Sequence, residues 1–177
     1  VRKDGQGATW ACSRDGRIWR TDDDHALQPM PHDVPGLLFH CTVLDRHLYG
    51  LFSKGTVLVV APDGSTSRRQ VDPNTNVVVA LAGRLFHLRT DRPGLFTEDG
   101  SLFTSAHLFG EAEGRILAVD DDDLIGLHPD GTEAFRRPHH GWLPVGNVGD
   151  RLVTSSGDGG LRLEDMTDGA NPLPLVG

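Results

Sequence analysis

The residues with the most chemical potential in this chain are its nine histidines and its runs of aspartate. His139 and His140 are adjacent, and His25 follows Asp22, Asp23 and Asp24. A transition-metal centre needs three or four such ligands converging, and no spacing here matches a closed set of two cysteines and two histidines. The run from Asp120 to Asp123 has the oxygen-rich character that calcium favours, but neither acidic run has the spaced aspartates of an EF-hand loop. Both read as solvated turns, and no metal or other cofactor is expected. No serine sits in a Gly-x-Ser-x-Gly elbow. Cys12 and Cys41 lie in apolar, strand-like stretches, where a reactive thiolate is disfavoured. Two buried free thiols in a reducing compartment are the first reading, which implies a cytoplasmic location; a disulfide is the alternative. The stretch Gly157-Asp158-Gly159-Gly160 is glycine-rich, but no helix follows it to make a phosphate loop. No catalytic residue emerges, and an enzyme is the less favoured reading.

Some residues are better suited to recognition than to catalysis. Arg68-Arg69 and Arg136-Arg137 are basic pairs on polar strands, where charge protects an exposed sheet edge and also suits an acidic partner. Trp142 opens a strand at which a ligand can be met, close to His139 and His140, whereas Trp10 and Trp19 read as packing residues. The candidate ligand or partner contacts are therefore Trp142, His139, His140, Arg68 and Arg69. A formal net charge of −8 argues against a general phosphate-backbone binder, so no nucleic-acid partner is expected. No apolar run approaches the roughly 20 residues that span a bilayer, and no membrane association is expected. The chain begins at Val1, which reads as a processed or excised start. Arginine far outnumbers lysine, which occurs only as Lys3 and Lys54; this resembles the coding bias of a GC-rich bacterial genome.

The elements that position these residues are announced by turns. Asp63-Gly64, Asp99-Gly100, Asp130-Gly131 and Asp168-Gly169 recur about 31–38 residues apart, within the range of repeat architectures. A second marker keeps the same beat: a turn, then an apolar pair opening a strand, at Leu48-Tyr49, Leu85-Phe86, Ile116-Leu117 and Leu152-Val153, with Trp10 one period earlier. Asp-Gly between extended runs favours tight hairpins, because glycine accepts positive φ and aspartate tolerates it. Each period reads as four antiparallel strands, A to D. The clearest has A over Leu37 to Val43, B over His47 to Phe52, C over Thr56 to Val60 and D over Ser65 to Val71. Middle strands such as Val57-Leu58-Val59-Val60 are apolar on both faces, as in sheets stacked between neighbours. No stretch has sustained helical periodicity.

Two hairpins carry a family resemblance. Thr154 to Asp165 (TSSGDGGLRLED) looks like the B–C hairpin of a WD-repeat blade, with Glu164 in place of the tryptophan and Asp165 keeping the aspartate. Ser13 to Arg20 (SRDGRIWR) is similar, with Thr21-Asp22 following. The other units lack this form, and no Gly-His dipeptide occurs. The chain thus resembles the β-propeller superfamily, in the WD-repeat-like or quinoprotein-like range. The resemblance implies an all-β propeller of about five four-stranded blades, approximately 7–35, 36–73, 74–105, 106–138 and 139–177. The first blade lacks an inner strand unless the segment from Val1 to Gln6 supplies one irregularly, so the chain is a single propeller domain or part of a larger one. The function expected is a non-catalytic protein-interaction scaffold, with a protein partner or another propeller half closing the ring. The alternatives are a carbohydrate- or small-ligand-binding propeller and the propeller domain of a larger enzyme.

Overall fold

A computed structural model describes residues 2–3, 7–21, 26–112, 114–141, 143–148, 151–157, 159–164 and 173–174. Asp22 to His25, Trp142, Asp165 and the Asp168-Gly169 turn lie outside the described residues. The rest forms five antiparallel sheets, each of four strands joined in sequence order. The first comprises β1 (Arg2–Lys3), β2 (Thr9–Cys12), β3 (Ile18–Thr21) and β4 (Leu27–Pro29). The second comprises β5 (Leu38–Leu44), β6 (His47–Phe52), β7 (Thr56–Val60) and β8 (Thr66–Gln70). The third comprises β9 (Thr75–Leu81), β10 (Arg84–Arg89), β11 (Leu95–Thr97) and β12 (Leu102–Thr104). The fourth runs through β13 (His107–Ala112), β14 (Arg115–Asp120), β15 (Asp123–Leu127) and β16 (Glu133–Pro138). The fifth runs through β17 (Leu143–Val148), β18 (Arg151–Ser155), β19 (Leu161–Glu164) and β20 (Leu173–Pro174). The first sheet does have an inner strand: Arg2 pairs with Trp10 and Lys3 with Thr9. It is only two residues long, so the first unit is abbreviated but not three-stranded.

One five-residue turn is used in all five sheets. In the second, Ala61 N–H donates to Ser65 O at 2.9 Å and Gly64 N–H to Ala61 O at 3.0 Å. The pattern recurs at Ser13–Arg17, Thr97–Ser101, His128–Thr132 and Ser156–Gly160. It needs a residue in the left-handed region at its fourth position, and Gly16, Gly64, Gly100, Gly131 and Gly159 take φ of 84 to 92°. In sheets two, three and four the preceding aspartate accepts a backbone N–H two residues on, at 2.9 Å for Asp63–Ser65, 3.0 Å for Asp99–Ser101 and 2.9 Å for Asp130–Thr132. Stabilised as anions, the carboxyls of Asp63, Asp99 and Asp130 are held below the usual range, and Arg17 with Ser13 brings Asp15 down to about 2. The turn lies between the third and fourth strands in sheets two, three and four, and between the second and third in sheets one and five.

The chain divides into two compact units, Val1–Leu102 and Phe103–Gly177. In the first, β7 is buried on both faces and its alternate residues serve different layers. Leu58 and Val60 pack with Trp10, Ile18, Leu38, Leu48 and Phe52, whereas Val57 and Val59 pack with Leu51 and Val78. The second sheet is thus sandwiched between the first and the third, as its two-sided apolar pattern requires. In the second unit, Leu117, Val119 and Leu124 pack with Ala112 and Leu152, while Ala118 and Ile125 face the other way with Ala106. Strand β8 is exposed along its whole length.

Candidate functional site

The first strands of successive sheets lie side by side within each unit: β1 beside β5, β5 beside β9, and β13 beside β17. Side chains stitch these inner strands together. Ala80 N–H on β9 donates to Thr42 Oγ1 on β5 at 3.2 Å, and the His40 ring on β5 is half-buried near the Val78 carbonyl of β9. Burial pushes the His40 pKa down, and its Nδ1 is buried with no hydrogen-bond partner.

Every inner strand longer than two residues is also bulged near its start. Leu38 pairs with Phe52 and His40 with Leu51, which leaves Phe39 without a partner. Asn76 on β9, Phe109 on β13 and Val145 on β17 are skipped in the same way. A bulge adds one residue to one strand and re-aims its side chain. The consequence at Phe39 is plain: the residue is 53% exposed, and the neighbouring Leu37 is 46% exposed.

Beside Phe39 lies an open depression of about 500 Å³, lined by Arg2, Cys12, Ser13, Arg14, Leu38, Phe39, His40 and Cys41. Its walls are held by the turn before β3 and by β5. Leu38 N–H donates to Arg14 O at 3.0 Å, tying the two together. Below them, Val34 N–H donates to His32 Nδ1 at 3.2 Å, so His32 Nε2 carries the proton and donates to Gly16 O at 2.7 Å. Arg2 Nε donates to Cys41 O at 3.3 Å, and Arg14 is exposed at the rim. Two guanidinium groups and an exposed ring thus meet at one mouth, in a chain whose net charge is −8. Cys12 and Cys41 are both free and half-buried there, not fully buried as their apolar flanks imply. The solvent-filled depression is the reason.

The residues singled out from sequence sit elsewhere. Arg68 and Arg69 are on exposed β8, where Arg68 pairs with Asp33 and Arg69 with Glu98 of the third sheet. Arg69 also stands 5.8 Å from the Tyr49 ring centroid. Beneath it a smaller depression of about 270 Å³ is lined by His87, Leu85 and Glu98. His139 and His140 belong to the second unit, in the turn after β16. His139 Nδ1 accepts Gly141 N–H at 3.0 Å, its Nε2 lies 3.3 Å from Asp121 O, and His140 takes a φ of 49°. In the acidic run, Asp120 and Asp123 are held by Arg136 at 3.1 and 3.4 Å. Among the described residues no three His, Cys, Asp or Glu side chains converge to hold a metal ion, and no helix is long and apolar enough to cross a membrane.

Sequence reasoning missed Phe39 and Arg14, and held the meeting of Cys12 with Cys41 only as the alternative to two separate buried thiols. The one available signal was the run Leu37-Leu38-Phe39, three large apolar residues where an alternating strand has room for two on its buried face.

No family model and no curated protein matches this chain. Solved structures do. PorZ, described as an essential bacterial surface component of the type-IX secretion system of Porphyromonas gingivalis, superposes with a TM-score of 0.57 at 11% identity over 96% of this chain and 31% of its own. BamB from Moraxella catarrhalis superposes with a TM-score of 0.59 at 19% identity over 93% of this chain and 56% of its own. The fold is that of a β-propeller. The chain spans about a third of the one protein and just over half of the other.

Proposed function

We propose that this chain is a non-catalytic protein-interaction module, built from WD-repeat-like blades, that receives an extended segment of a partner at the depression between its first two sheets. The observation that carries the reading is the bulge at Phe39. It places an aromatic ring in solvent at the mouth of a cavity, whereas Phe52, Phe86 and Phe96 are fully buried. Such rings, next to arginines, are the residue types enriched at the centres of interfaces. Arg2 and Arg14 at the same mouth favour a segment that carries carboxylates around an apolar anchor. The WD-like reading draws support from the first and fifth sheets, whose second and third strands are joined by the same hydrogen-bonded turn. The partner is a separate protein or further blades of a larger propeller.

The test is a library of fluorescent, extended peptides of 8–12 residues, long enough at about 3.3 Å per residue to seat two or three residues in the depression with flanks on either side, varied in acidic content and in one apolar anchor. Anisotropy should select acidic peptides with an aromatic or large aliphatic anchor. Phe39→Ala should then weaken binding about tenfold or more, the cost of a central anchor. Arg14→Glu should weaken it and reduce its salt dependence. Peptides that bind both variants as well as the parent chain would place the interaction elsewhere.

A further inference from the structure

Cys12 ends β2 in the first sheet, and Cys41 lies mid-way along β5 in the second. They are 29 positions apart in sequence, yet both line the same depression and both pack on the same apolar cluster. The two side chains thus meet across the boundary between the first and second sheets, close enough for each thiol to perturb the ionisation of the other. Both thiols are free and half-buried, with the depression as their route to solvent.

We propose that Cys12 and Cys41 are a reversible dithiol–disulfide pair that, on reaction with a low-molecular-weight disulfide, staples the first sheet to the second. The roles of the two sulfurs are unequal. Arg2 Nε donates to Cys41 O at 3.3 Å, so a positive charge lies beside Cys41 and favours its thiolate, whereas burial pushes the Cys12 thiol upward. Cys41 is therefore the attacking thiolate. It displaces one thiolate from the small disulfide and forms a mixed disulfide. Cys12 then gives up its proton to solvent and attacks the Cys41 sulfur, displacing the second thiolate. In balance, two protein thiols and one small disulfide become one protein disulfide and two small thiols. The protein loses two electrons and two protons, and the small disulfide gains them. This step does not depend on the partner reading above.

The 177-residue chain, equilibrated with graded mixtures of oxidised and reduced glutathione, tests it. The expected product is monomeric, lighter by about 2 Da, and yields a Cys12–Cys41 linked peptide on non-reducing digestion. It should return to two thiols on reduction. Cys12→Ser should instead arrest at a glutathione adduct on Cys41, and brief alkylation of the reduced parent chain by iodoacetamide should prefer Cys41 over Cys12. Cys41→Ser should react slowly, since Cys12 lacks its thiolate. Separate glutathione adducts on both sulfurs of the parent chain, dimers linked between chains, or two unreacted thiols at every ratio would each overturn the proposal. Because the parent chain gives the decisive mass, the conclusion survives if a serine variant fails to fold.

Discussion

Gly55 and Gly83 make a matched pair of probes for what holds the second sheet's ladder in place. Both adopt the left-handed backbone, with φ of 74° and 71°. A Cβ added at Gly83 meets nothing within 4 Å, so Gly83→Ala carries only the cost of an L-residue in that region, about 1 kcal/mol. A Cβ added at Gly55 falls 2.6 Å from Val71 O and 2.8 Å from Asp72 O. Those are backbone atoms at the end of β8, and they cannot rotate aside. The Gly55 carbonyl also accepts Val71 N–H at 2.9 Å, so moving one chain away from the other stretches that bond. Adding the clash and a weakened hydrogen bond to the conformational cost gives about 3 kcal/mol or more for Gly55→Ala. Urea denaturation of both variants, followed by far-ultraviolet circular dichroism, measures the difference directly. A Gly55→Ala variant within about 0.5 kcal/mol of Gly83→Ala would refute the claim that backbone proximity sets the identity of residue 55.

Two further outcomes are expected. Burial lowers the pKa of His87 and of His40 from the ordinary 6.5, and His87 Nε2 is buried with no partner. The unfolded chain then takes up protons near pH 6.5 before the folded chain does, so stability is fully present above that value and falls as the pH drops toward the folded pKa values. His87→Leu should flatten the slope of stability between pH 7 and 5 in urea titrations; an unchanged slope would show that His87 is not its source. Leu58→Ala, which empties a site only 1% exposed between two sheets, should cost about 2–4 kcal/mol, whereas Leu102→Ala at 54% exposure should change the urea midpoint hardly at all.

The positions of the arginines show what separates the legible from the hidden. Arg68 and Arg69 were readable as edge residues because an unbroken polar run between two turns announces an exposed strand, and β8 is one. Their partners, Asp33 and Glu98, lie 35 and 29 residues away and carry no local mark of the pairing. The same holds for the inner strand of the first sheet: Arg2–Lys3 has no apolar pattern, and it is a strand because β2 offers it an edge. Trp142, the aromatic most suited to a ligand, falls outside the described residues, whereas Phe39 reads as an ordinary core residue until its register is known.

The sequence by itself determined the repeat. Asp-Gly turns and two-sided apolar strands act over a few residues, and their chemistry is enough to specify four short strands per period and five sheets. Tertiary structure alone decided the site. A bulge shifts one residue against its partner strand without altering composition or spacing, yet it turns Phe39 from the core to solvent. The nearness of Cys12 to Cys41, under the guanidinium of Arg2, exists only because two sheets stack. Local turn chemistry is written within a window of residues; which side chains meet across sheets depends on register and stacking, which no such window contains.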